Sequence, residues 1–143
     1  MATEEIISAI GLVGLGGLLK STLDFFIANK KQKSESKQQL KETRYKAIIL
    51  MCYAYINFEK EKTTLIINRP DITSKERLFN ELNVEWINMS LFASDRVLLK
   101  MKDFLELLNP AKYNELVLEM RKDLYGVKTK IKLDNLVLKE RNL

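Results

Sequence analysis

Residues 6–28 read IISAIGLVGLGGLLKSTLDFFIA and run straight into Asn29-Lys-Lys-Gln-Lys33. An apolar, glycine-punctuated stretch that ends on a block of lysines reads as a short membrane span with a cytoplasmic edge. The fourteen residues 6–19 carry no charge. As a helix they cover only about 21 Å, against a hydrocarbon core of about 30 Å. Extended to Ala28 the helix reaches roughly 34 Å but takes in Lys20 and Asp24. Twelve large apolar side chains in this window favour insertion by about 0.3–0.6 kcal/mol each, whereas a Lys and an Asp cost up to about 3 kcal/mol apiece at mid-bilayer. Four residues apart, Lys20 and Asp24 form an intramembrane charge pair, and the Lys snorkels to the inner surface. The balance for this window is marginal, and a transmembrane helix over 4–28 is the plausible reading.

A cleaved signal peptide does not fit. Glu4 and Glu5 stand where such a peptide carries positive charge, and no small-x-small site follows the apolar run. With acids before the span and lysines after it, the positive-inside rule puts the amino terminus outside and the bulk in the cytoplasm. Along the span one stripe reads Thr3, Ile7, Ile10, Gly14, Gly17, Ser21, Asp24, Ala28, opposite Leu12, Leu15, Leu19, Leu23 and Phe26. Small residues on one line suit helices that pack closely in lipid, so self-association through Gly14, Gly17, Ser21 and Asp24 is expected. Glycines that merely tolerate a lone span are the competing reading. The run from Gly14 to Ser21 departs from a G-x-x-x-x-G-K-[ST] phosphate loop at Leu19, where a glycine must turn its amides onto phosphate. Nucleotide binding is not expected.

The 143 residues hold two prolines and five glycines, leaving long tracts with nothing to break a helix, and an all-α class follows. The one cysteine, Cys52, fits a reducing compartment, and the absence of histidine removes the usual metal sites and every His-dependent triad. No enzyme, cofactor or metal is expected. The formal charge of +5 is local: residues 29–46 hold seven basic groups against two acidic ones. Residues 29–44 read as a solvated helical stalk, with Lys30, Lys31, Lys33 and Lys37 placed for anionic lipid headgroups. Nucleic acid is disfavoured, because no aromatic residues interleave with these lysines.

Beyond the stalk, Tyr45, Ile48, Ile49, Cys52, Tyr55 and Ile56 recur at helical steps. Asn68-Arg-Pro70-Asp71 predicts a turn and Thr73-Ser-Lys-Glu76 a capping box. A long second helix is expected over 74–108, closed by Asn109-Pro110, which opens a third whose apolar face is Tyr113, Leu116, Val117, Met120 and Leu124. Gly126 is the expected C-cap. The pattern after it suits either a strand over 129–133 or a short helix over 133–138. The expected architecture is a transmembrane helix (4–28), a basic juxtamembrane stalk (29–44), a three-helix antiparallel bundle (45–126) and a basic tail (127–143).

Asn68-Arg-Pro-Asp-Ile72, Leu91-Phe-Ala-Ser-Asp-Arg-Val97 and Glu119-Met-Arg-Lys-Asp-Leu124 give the chain a resemblance to uncharacterised small bacterial proteins. Those have one amino-terminal span, a basic stalk and a helical cytoplasmic domain. The resemblance implies bacterial or phage origin and an inner-membrane topology, and it carries no catalytic residues.

Asp95, Arg96, Arg121 and Asp123 stand out as a possible polar network inside the bundle or a partner surface. Glu81 and Glu85 beside Trp86 make a weak metal pair, better read as a solvated face, and Cys52 on an apolar stripe is expected to be buried. The functional expectation is a single-span scaffold or interaction protein, self-associating and bound to an unknown protein partner. An oligomeric membrane-perturbing effector of the holin or phage-defence kind is the alternative, motivated by Lys20 and Asp24. A soluble enzyme comes last.

Overall fold

The computed structural model describes the backbone of residues 2–131 and the side chains of residues 23–131. Among these residues there are five helices and no strand: α1 (Ala2–Ile56), α2 (Phe58–Asn68), α3 (Lys75–Met89), α4 (Asp95–Leu107) and α5 (Pro110–Tyr125). The all-α class therefore stands. Among the described residues no helix is long and apolar enough to cross a membrane. Most of the span expected over 4–28 lies outside the residues with described side chains. The chain divides into two units, the first ending at Gln39 and the second beginning at Leu40.

In the first unit every described side chain, from Leu23 to Gln39, is exposed. Its lysines, glutamines and serines favour helix and offer no apolar stripe to bury. Ser36 Oγ donates back to the Gln32 carbonyl at 2.9 Å, and Lys31 approaches Glu35 at 3.9 Å across one helical turn.

The second unit has the core. Tyr45, Ile48 and Cys52 come from the last turns of α1, Leu78, Leu82 and Met89 from α3, Val97, Met101 and Phe104 from α4, and Leu116 and Met120 from α5. Each fully buried aliphatic chain contributes about 1.5–3 kcal/mol. The contacts Tyr53–Tyr113 and Tyr45–Asp123 set α5 antiparallel to α1.

Two expectations need correction. The helix expected over 74–108 is two helices, α3 and α4, separated at residues 90–94. There the amides of Ser90, Leu91 and Phe92 bond carbonyls three residues back, at 3.1 Å each, tightening the last turn of α3. Ser90 Oγ also donates to the Ile87 carbonyl at 2.7 Å, competing with the helical ladder. The apolar residues stay in helical phase across the break, so periodicity carries no trace of it. Second, α2 fills residues left unassigned between the first apolar face and the turn. Asn57 alone separates it from α1, its side chain donating to the Tyr53 carbonyl at 3.0 Å. The expected trio of helices after the stalk is thus replaced by the end of α1 followed by α2 to α5.

The local signals fall close to where the sequence put them. At the expected turn the Ile72 amide bonds the Arg69 carbonyl at 2.9 Å. The Arg69 guanidinium grips Asp71 with two bonds, of 2.9 and 2.8 Å. The cap of α3 is Ser74, one residue beyond Thr73, with its side chain accepting from the Arg77 amide at 3.0 Å. Asn109 caps α5 by accepting from the Lys112 amide at 2.9 Å, with Pro110 first in the helix. Gly126 ends α5 at φ 67°. Leu108, expected inside a helix, instead ends α4 in the left-handed region at φ 49°. Residues 126–131 are irregular, which removes the strand from the described part of 129–133; residues 133–138 lie outside the described residues.

Candidate functional site

A connected polar group of the second unit is the carboxylate of Asp123, in the last turn of α5. Its Oδ2 accepts from Lys41 Nζ at 2.6 Å, from the Tyr45 hydroxyl, and from the Ser94 amide at 3.4 Å. Lys41 and Tyr45 lie four residues apart and so share one side of α1. Ser94 begins α4. One oxygen therefore joins three helices where α1 enters the unit.

Burial by itself raises the Asp123 pKa, but the hydrogen bonds from Lys41 and Tyr45 and the Lys41 charge outweigh it and hold the carboxyl below the usual aspartate range. Burial and then the neighbouring carboxylate push the Tyr45 phenol far up, so it remains a donor. Lys41 and Asp123 side chains are only 20% and 12% exposed. A paired charge this sheltered fixes how helices meet.

Of the four residues singled out as a polar network or partner surface, only Asp123 is in this cluster. Asp95, Arg96 and Arg121 are exposed, and Asp95 stands in the first turn of α4, where a negative charge suits the helix dipole. Sequence reading missed Lys41, Tyr45 and Ser94. Lys41 was counted with the basic stalk and Tyr45 with the apolar stripe. Their four-residue spacing, a cation one turn before an inward tyrosine, is the signal that was available.

Lys30, Lys31, Lys33 and Lys37 are all exposed, as is Asp24. The side chains of Gly14, Gly17, Lys20 and Ser21 lie outside the described residues. Glu81 bonds Arg69 at 3.3 Å and approaches Arg77 at 3.9 Å, while Glu85 bonds Arg44 at 3.3 Å. Both acids are thus engaged by arginines. Glu85 Oε2 is buried without a hydrogen-bond partner among the described residues. No group of three metal-binding side chains occurs among the described residues. Cys52 is buried, and desolvation raises its thiol well above the usual range, so it is not a ready nucleophile.

A second ionic cluster ties α4 to α5. Lys100 bonds Glu115 at 2.7 Å, and Lys112 bonds the same carboxylate at 3.1 Å. These groups staple the two helices together. No known protein family, curated protein or solved structure matches the chain.

Proposed function

We propose that this chain is a non-enzymatic, membrane-tethered helical interaction module, self-associating through the span over residues 4–28 and holding its packed unit on the cytoplasmic side of a bacterial inner membrane. The observation that carries this is on α1. Leu23, Phe25, Phe26 and Ile27 are 60–69% exposed, and no side chain is buried among the described residues 23–44. Four large apolar groups in water are costly when clustered. They directly precede exposed Lys30, Lys31 and Lys33. Aromatic and apolar residues followed by lysines match the edge of a bilayer, where rings sit at headgroup level and cations meet phosphate.

Tethering supplies the mechanism. A span confines the packed unit to the membrane plane, and association of spans multiplies weak contacts of that unit with a protein partner into avidity. The Gly14, Gly17 and Ser21 stripe lets two spans approach closely and shelters Asp24 between them. Replacing both Gly14 and Gly17 by Leu is expected to reduce the detergent-solubilised particle to a smaller species on size exclusion with light scattering. An unchanged mass would rule out association through this stripe.

A further inference from the structure

One end of the second unit combines exposed apolar groups with positive charge that has no ion pair among the described residues. Its position is fixed by the meeting of Lys41, Tyr45, Ser94 and Asp123, and by Phe92 lying 5.8 Å from the Tyr45 ring. Beside Phe92, in the loop between α3 and α4, Leu91 is 85% exposed, more than any other large apolar side chain among the described residues. Ile87, one turn earlier on α3, and Leu40, next to Lys41, are 66% and 60% exposed.

The charges around these side chains are unequal. Arg96 in the first turn of α4, Arg121 two residues before Asp123, and Lys128 and Lys130 just past Gly126 are all exposed. None of the four has an ion pair among the described residues. The acids nearby are mostly engaged: Asp123 by Lys41, Glu85 by Arg44, Glu42 by Lys46 and Glu119 by Lys122. Exposed Asp95 is the exception.

We propose that this end of the second unit docks on an anionic bilayer surface, with Leu91 and Ile87 entering the headgroup–acyl boundary and Arg96, Arg121, Lys128 and Lys130 among the lipid phosphates. Exposed apolar side chains on the same unit as exposed cations that have no ion pair among the described residues suit an interface that is apolar below and negatively charged above. A protein surface binding the same apolar groups has no comparable need for four such cations. The inference rests on the tethering reading. A chain already anchored in the bilayer needs only modest intrinsic affinity for its surface.

The test uses the full chain in vesicles of phosphatidylcholine, alone or with phosphatidylglycerol, carrying an environment-sensitive fluorophore on Leu91→Cys. Cys52 is buried with a raised thiol pKa, so brief labelling at neutral pH is selective. Leu107→Cys, exposed at the opposite end of α4, is the reference. The Leu91 probe is expected to shift to the blue and lose about half its quenching by aqueous iodide only when the anionic lipid is present. The Leu107 probe stays in water. Charge reversal at Arg121, Lys128 and Lys130 together, or high salt, abolishes the difference. Equal quenching on both lipids overturns the docking. So does protection that disappears when protein is diluted in the bilayer, which reports contact between copies. Flotation of the same samples separates the two ideas: a chain that floats with both vesicles while its Leu91 probe stays in water keeps the tether and loses the docking, and one that floats with neither loses both.

Discussion

Oδ2 of Asp123 receives an ammonium, a phenol and an amide from three directions, and its removal tests how much the junction depends on one atom. Asp123→Asn leaves Lys41 sheltered without its counter-charge, and an expected loss of about 2–4 kcal/mol in urea unfolding follows. Tyr45→Phe keeps the ring against Phe92 and removes only the hydroxyl bond, for about 0.5–1.5 kcal/mol. Because the folded carboxyl lies below the usual aspartate value of 3.8, its contribution is fully present above that value and is lost as the pH falls through the folded pKa. Stability therefore declines on acidification below about pH 4, and Asp123→Asn should flatten that part of the curve. A variant with the wild-type slope would remove Asp123 from the pH response. The sequence showed Asp123 as notable but not its partners, since Lys41 lies 82 positions away and nothing in a linear pattern records that pairing.

At the level of elements, the ends of helices were more legible than their continuity. Asn109 with Pro110, and Gly126, act through chemistry contained in a few neighbouring residues and are terminal where expected, whereas the cap of α3 is Ser74 and not Thr73 of the expected box. The separation of α3 from α4 is different in kind. Ser90 and Ser94 are weak breakers, and the Ser94 amide after the break bonds Asp123 29 positions away, which no local pattern records. Ser74→Ala should cost about 1 kcal/mol by leaving the Arg77 amide uncapped. Gly126→Ala should cost a similar amount, about 1 kcal/mol, for a different reason. An added methyl there meets no atom within 4 Å, so the whole penalty is the left-handed backbone at φ 67°. Thermal unfolding of the two variants checks both values, and a neutral Gly126→Ala would show that the end of α5 relaxes.

For the whole molecule, the all-helical class followed from composition alone, and the core positions of α1, α4 and α5 from their spacing. The two units divide between Gln39 and Leu40, and Lys41 reaches Asp123 within the second, a pairing with no linear signal. The proposed function rests on the exposed apolar side chains of Leu23, Phe25, Phe26 and Ile27 and the lysines after them, which suit a bilayer edge without naming a partner. The direct measurement is fractionation of the intact chain after detergent-free lysis, followed by high-salt and alkaline washes of the membrane pellet. A tethered chain remains in the pellet through both washes and is released only by detergent. Recovery of most of it in the first supernatant contradicts tethering.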